Sequence, residues 1–264
     1  MNRITKKFED KGSDKLLNLF ITAGYPDIES TVDLVLGFEK SGADLIELGM
    51  PFSDPLADGP TIQYSNDVSI SNGISIDKIL DMVAEIRKSS EIPIILMGYM
   101  NPVLRYGVSN FCAKAASVGV DGLILPDIPV EESGLIEKEA AENNLPIIYL
   151  VAPNTSDERM QLADEKSGGF VYCVSVTGVT GARDGNIVSD SVSKFINRVR
   201  VNVTKNPVLV GFGIKSFEDA QAIASNADGF IVGSALIDTI RKSYPNENWK
   251  KDVFSFVHSL KFGK

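Results

Sequence analysis

Two carboxylates in the first quarter of the chain have the residue types and the spacing for acid–base chemistry. Glu47 lies near the end of the short apolar segment ADLIELG (residues 43–49), a predicted strand, so its side chain faces either the lumen of a barrel or a helix layer. Both environments are poorly hydrated, which raises the pKa of a carboxyl and suits it to proton transfer. The alternative is a structural glutamate paired with a basic residue of a helix.

Asp58 follows eleven residues later, in a loop that contains three prolines at positions 51, 55 and 60. Proline restricts the backbone, so such a loop can present a carboxylate at little entropic cost. Taken alone, Asp58-Gly59 is a turn signal. Together with Glu47, Asp58 becomes a candidate catalytic residue, because two carboxylates in different environments can divide acid and base roles.

Glycine-rich segments in the second half are candidate anion sites. They contain Gly181, Gly213 and the pair Gly233-Ser234, and they follow the sixth, seventh and eighth predicted strands. Glycine lets a ligand approach the backbone, and a helix N-terminus offers unpaired N–H groups to an anion. Three aromatic residues, Phe20, Tyr172 and Phe212, could line an apolar ligand, although simple packing explains each of them equally well.

The elements that must position these residues alternate along the whole chain. Branched apolar runs predict eight strands, at residues 17–21, 45–48, 94–97, 122–125, 147–151, 170–174, 208–210 and 229–232. Helical patterns separate them, at residues 30–40, 76–89, 109–117, 132–143, 157–166, 189–201 and 216–225. This alternation predicts an α/β fold, a single-domain (β/α)8 TIM barrel over residues 1–264 with an extra N-terminal helix.

Two connections, at residues 49–75 and 176–188, are long enough to be functional loops, and both leave the C-terminal ends of strands, where barrels keep their active sites. Three aspartates lie at the junction between a predicted helix and the strand that follows it: Asp44, Asp121 and Asp228. We interpret these three as structural caps at the opposite end of the barrel.

Composition excludes several classes of protein. A net charge of −9 argues against a nucleic-acid partner. The single histidine, His258, excludes His-based triads and His-rich metal sites, and Cys112 and Cys173 form no metal-binding pair. No metal or cofactor is expected in this chain. The polar N-terminus and the lack of a long apolar run predict a cytoplasmic protein with no membrane association.

Several motifs resemble those of the tryptophan synthase α chain, in order and over nearly the whole chain. They are FITAGYPD (20–27), ELGMPFSDPLADGPTIQ (47–63), MGYMNP (97–102), PDIPVEES (126–133), SVTGVTGA (175–182) and GFGI (211–214).

The resemblance implies a lyase that cleaves indole-3-glycerol phosphate to indole and glyceraldehyde 3-phosphate. It implies that Glu47 protonates the indole C3 and handles the glycerol hydroxyl proton, and that Asp58 stabilises charge at the indole N–H. Phe20 and Tyr172 would line the substrate, and Thr180 would close against Asp58. The phosphate would be held by Gly181, Gly213, Gly233 and Ser234.

The resemblance also implies an α2β2 heterotetramer, in which the β chain carries pyridoxal phosphate. Loop residues Pro51 and Asp54 would contact that partner, and Val176 stands where some relatives have an arginine. Two alternatives stay open. A Schiff-base aldolase needs a lysine in the barrel strands, and residues 170–176 contain none. A non-catalytic subunit that only activates the β chain could dispense with Glu47 and Asp58, yet both are present.

Overall fold

Eight short parallel strands form one sheet, and their mainly branched and aliphatic residues account for it. The computed structural model describes residues 2–174 and 190–264. The strands are β1 (Leu16–Thr22), β2 (Leu45–Gly49), β3 (Ile94–Met97), β4 (Gly122–Ile124), β5 (Leu150–Val151), β6 (Val171–Val174), β7 (Val208–Gly211) and β8 (Gly229–Val232). Their spatial order is β4-β3-β2-β1-β8-β7-β6-β5. A parallel bridge between Leu123 and Ile147 joins the two ends of this sheet, so the predicted barrel is confirmed.

Helices separate the strands and cover the outside of the barrel. They are α1 (Arg3–Asp10), α2 (Ser30–Lys40), α3 (Pro60–Ser71), α4 (Ile76–Ile86), α5 (Met100–Tyr106), α6 (Val108–Val118), α7 (Glu137–Glu142), α8 (Asp157–Lys166), α9 (Asp190–Asn202), α10 (Phe217–Ile223), α11 (Ser234–Ser243) and α12 (Trp249–Phe262). The helix predicted over residues 132–143 is instead a 3-10 turn (Val130–Leu135) followed by α7, because the backbone of Ile136 leaves the helical region at φ −142°.

The prediction of a structureless connection over residues 49–75 is wrong for its second half, which is α3. Hydrophobic periodicity misses this helix because the side chains that it buries are polar. Ser65 shares a 2.6 Å hydrogen bond with the Thr22 hydroxyl, and the Ser69 hydroxyl donates to the Ala23 carbonyl. Pro60 stands at the first helical position, where its missing N–H costs nothing. The open loop before α3 is therefore residues 50–59, and residues 72–75 join α3 to α4.

The predicted N-terminal helix is α1, and it closes the N-terminal end of the barrel. Ile4 is fully buried against the first layer of lumen side chains, and Phe8 packs against Phe170 with ring centroids 6.1 Å apart. One face of the segment carries cations that reach three aspartates: Arg3 contacts Asp121 at 3.0 Å, Lys7 contacts Asp44 at 3.2 Å, and Lys11 contacts Asp228 at 3.6 Å.

The same three aspartates fasten neighbouring strands, which confirms that they are structural. Each aspartate donates its backbone N–H to a strand carbonyl at 2.8 Å, and its carboxylate accepts the N–H of that same strand residue at 2.8 or 2.9 Å. The pairs are Asp44 with Leu17, Asp121 with Ile94 and Asp228 with Val208. The three carboxylates at this end of the barrel are therefore structural, and the candidate catalytic residues lie toward the opposite end.

Candidate active site

Glu47 points into the lumen because side chains alternate along a strand. Its neighbours two residues apart on β2 are Leu45, which belongs to the lumen layer, and Gly49 at the strand end. Ile46 and Leu48 point the other way, into the core between the sheet and the helices. Of the two environments that the sequence left open, the structure therefore selects the lumen.

The Glu47 carboxyl is fully buried and has one neutral partner. The Asn18 amide donates to Glu47 Oε1 at 2.7 Å, while Oε2 has no hydrogen-bond partner among the residues described. Burial raises the pKa of this carboxyl from 4.5 to about 8, and the Asn18 hydrogen bond offsets only part of that rise. At neutral pH the group holds a proton and can donate it.

Asp58 lies at the end of loop 50–59 and is half-buried. Burial raises the pKa of its carboxyl, and hydrogen bonds from the Tyr99 hydroxyl and from Asn66 work against that rise. The Asn66 amide donates to Asp58 Oδ2 at 3.2 Å. Tyr99 also accepts the N–H of Ala57 at 3.0 Å and so fixes the loop beside the carboxylate.

Tyr172 brings the two carboxylates into one site. Its pKa is raised well above the ordinary value, first by burial and then by the negative charges of Glu47, Cys173 and Asp58. The absence of a side chain at Gly211 makes room for the ring, since a Cβ there would lie 2.7 Å from it. Gly49 does the same for Phe20, where a Cβ would lie 2.7 Å from the ring. Phe20 stands in register with Glu47 on the neighbouring strand.

Phe212 lies elsewhere. Its ring packs 5.9 Å from that of Phe195 on α9, within the core between sheet and helices, and the structure does not group it with Glu47, Asp58 and Tyr172. Its predicted contact with substrate stays a prediction.

The candidate anion site lies at the ends of β7 and β8, which are neighbours in the barrel. Gly213 has φ +68°, a conformation that favours glycine, and is exposed. Gly233 precedes α11, and Ser234 is its first residue, so the backbone N–H groups of that helix turn have no partner inside the helix. Thr180, Gly181 and Val176 lie outside the described residues.

The loop residues predicted to meet a partner are accessible to different degrees. Pro51 is half-buried, whereas Asp54 is exposed and accepts a 2.6 Å hydrogen bond from the Ser53 hydroxyl. Leu56, which the sequence did not single out, lies in the same loop and is 96% exposed.

Sequence reasoning missed Asn18, Asn66 and Tyr99, the residues that hold the two carboxylates. The sequence does hold a signal for Asn18, because it is the one polar residue among the first six of β1 and alternates with Phe20, so it must share the lumen face. Tyr99 lies two residues after the end of β3, immediately before α5. Asn66 had no signal, since its helix was not predicted.

Within residues 2–174 and 190–264, no group of three or more His, Cys, Asp or Glu side chains could hold a metal ion. In the same part of the chain, none of the helices combines the length and the apolar character that a membrane crossing needs.

Comparison with known proteins gives a consistent result. The model of the family "Tryptophan synthase alpha chain" matches residues 7–261. The tryptophan synthase alpha chain of Thermoanaerobacter sp. is 48% identical over 263 residues, and that of Christiangramia forsetii is 45% identical over 262, each alignment covering 99% of both chains.

Solved structures agree. The tryptophan synthase alpha chain of Legionella pneumophila superimposes with a TM-score of 0.90 at 38% identity, covering 99% of this chain and 96% of that one. A chain of the tryptophan synthase complex of Pyrococcus furiosus gives 0.84 at 36% identity, covering 94% of this chain and 98% of that one.

Proposed function

Because the chain belongs to the tryptophan synthase alpha chain family, we propose that Glu47 and Asp58 perform the acid–base chemistry of its reaction. The protein is a carbon–carbon lyase that cleaves indole-3-glycerol phosphate in tryptophan biosynthesis. We further propose that residues 1–264 form a single domain and that the protein is cytoplasmic.

One observation carries the assignment of Glu47: a fully buried carboxyl in the barrel lumen has a single neutral hydrogen-bond partner. A structural glutamate in that position would be expected to pair with a cation, because an uncompensated buried charge destabilises the fold. The described residues place no cation beside this carboxyl, and burial raises its pKa to about 8. Such a group can both give and take a proton near neutral pH.

The reaction then needs two proton movements, and one carboxyl can perform both. Glu47 donates its proton to the indole C3, which leaves a positive charge on the ring. The resulting carboxylate accepts the hydroxyl proton of the adjacent glycerol carbon. As that carbon becomes the aldehyde, the C–C bond breaks and its electron pair returns to the ring, giving indole, glyceraldehyde 3-phosphate and protonated Glu47.

Asp58 stabilises the intermediate charge. Protonation at C3 moves positive charge to the ring nitrogen, and a carboxylate that accepts the indole N–H becomes more favourable as that charge develops. Tyr172 and Phe20 supply the walls around the flat ring, and the backbone at Gly213, Gly233 and Ser234, with Gly181, holds the phosphate.

The partner is a tryptophan synthase β chain, which would carry pyridoxal phosphate and join two copies of this chain in an α2β2 heterotetramer. Two observations support a partner at the barrel mouth. A similar solved chain comes from a tryptophan synthase complex of Pyrococcus furiosus, and loop 50–59 presents Asp54 and Leu56 to solvent beside the site.

The test measures release of glyceraldehyde 3-phosphate from indole-3-glycerol phosphate by the purified chain, with and without a β chain. We expect slow release that increases when the β chain is added, and we expect Glu47→Gln to abolish release while leaving a folded protein. If Glu47→Gln cleaves the substrate at the wild-type rate, the residue assignment is wrong. If the wild-type chain releases nothing yet still activates the β chain, the non-catalytic alternative is the better one.

A further inference from the structure

Asn18 is a buried amide in the lumen of the barrel. It lies on β1 between Leu16, which belongs to the lowest lumen layer, and Phe20, which stands in register with Glu47. The side chain has no exposed surface. A buried amide needs a hydrogen-bond partner, and the partner that Asn18 has is the Glu47 carboxyl at 2.7 Å.

The direction of this hydrogen bond distinguishes the two carboxyl oxygens. Asn18 Nδ2 donates, so Glu47 Oε1 must accept and cannot carry the proton of the neutral acid. That proton belongs on Oε2. Oε2 is buried and has no hydrogen-bond partner among the described residues, and the same holds for Asn18 Oδ1.

We propose that Asn18 is a positioning residue for the acid–base group: by keeping Glu47 Oε1 in an acceptor role, it assigns the transferable proton to Oε2. This inference rests on the proposed role of Glu47. Asn18 needs no contact with substrate, since it lies one layer deeper than Phe20 and acts through the carboxyl. Its hydrogen bond also restricts rotation of the carboxyl, so the proton is presented in one direction.

Few other groups compete for this role. The side chains around the Glu47 carboxyl are uncharged: Asn18 from β1 and Tyr172 from β6. On β3, the residue in register with Glu47 is the apolar Ile95. The negative charge of Asp58, on loop 50–59, also raises the pKa of Tyr172. Burial and the Asn18 hydrogen bond are the causes that set the pKa of Glu47.

The test replaces Asn18 with leucine, which has a similar volume and no donor, and follows the Glu47 side-chain carboxyl by carbon-13 NMR across pH 5–10. Glu47→Gln identifies the signal. Loss of a hydrogen bond that favours the carboxylate should raise the pKa of Glu47 by about one to two units. The alkaline limb of kcat/KM for indole-3-glycerol phosphate should move upward by the same amount.

The sign of the shift decides the outcome. If the amide were turned, with Oδ1 accepting the acid proton, its removal would lower the pKa of Glu47, and the proposal would be overturned. An unchanged pKa would overturn it as well. Should Asn18→Leu not fold, as judged by circular dichroism, Asn18→Ala serves in its place.

Thr22→Val is the matched control, because it removes a buried hydroxyl from the same face of β1 that bonds Ser65 rather than Glu47. It should leave the pKa of Glu47 unchanged. The inference and the proposed function fail differently. A raised NMR pKa with an unmoved kinetic limb would remove Glu47 from the reaction, and Asn18's role with it. An unmoved NMR pKa with an inactive Glu47→Gln would refute the role of Asn18 alone.

Discussion

The stability of the protein should lose much of its pH dependence when Glu47 is replaced by glutamine. Burial raises the pKa of the carboxyl from 4.5 to about 8 in the folded chain, whereas the unfolded chain returns the group to water and to its ordinary value. Between these two values the unfolded chain has released the proton and the folded chain still holds it. The contribution to stability is therefore fully present below the lower value and is lost as pH rises toward the higher one.

The size of the effect follows from this single proton. Each pH unit within the window removes about 1.4 kcal/mol of folding free energy, and the whole window removes about 4 to 5 kcal/mol. The Glu47→Gln variant has no proton to release. Its amide oxygen can accept the Asn18 hydrogen bond, while its amide nitrogen takes the position of Oε2, which has no partner among the described residues. That constant cost, about 1 to 3 kcal/mol, does not vary with pH.

The assay is urea unfolding followed by circular dichroism at several pH values between 5 and 8. The free energy of unfolding of Glu47→Gln relative to wild type should increase by about 1.4 kcal/mol for each pH unit. Glu247→Gln makes the same substitution at an exposed glutamate and should run parallel to wild type. Parallel curves for wild type and Glu47→Gln would contradict a raised pKa, because they would mean that the buried carboxyl ionises at its ordinary value.

Three further predictions concern the site and its loop. Asp58→Asn should lower kcat for indole-3-glycerol phosphate by about 100-fold in steady-state kinetics, since the amide keeps the shape of the side chain but loses its charge. A variant in which only KM changes would contradict this prediction. Gly211→Ala should lower kcat/KM because its Cβ would lie 2.7 Å from Tyr172, whereas Gly134→Ala, with open space around its Cβ, should not. Asp54→Ala should reduce activation by the β chain more than basal cleavage, and equal loss of both would argue against a partner contact.

The barrel could be predicted from the sequence because its signals are local. Short branched runs such as 94–97 and 229–232 are the strands themselves, with the same bounds in the structure. The aspartate repeat at Asp44, Asp121 and Asp228 pointed to the structural end of the barrel. The lumen position of Glu47 follows from strand alternation once β2 is known.

What the sequence did not reveal depends on contacts between distant segments. Helix α3 buries serines and an asparagine against β1 and loop 50–59, so its pattern shows no apolar stripe for periodicity to detect. The partners of Asp58 come from that helix and from the end of β3, both separate from the loop that carries it. Such a constellation exists only after the barrel has closed.

The N-terminal end and the lumen of the barrel compensate their carboxylates to different degrees, and this contrast explains where the chemistry can take place. At the N-terminal end burial raises the pKa of Asp121, but a backbone N–H and the guanidinium groups of Arg3 and Arg87, at 3.0 and 2.6 Å, work against that rise and compensate its charge. In the lumen Glu47 receives one neutral amide. A cation in place of Asn18 would stabilise the charged form, lower the pKa of Glu47 and remove the proton that the reaction requires. The incomplete compensation that destabilises the fold above pH 4.5 is therefore the same property that makes Glu47 a proton donor near neutral pH.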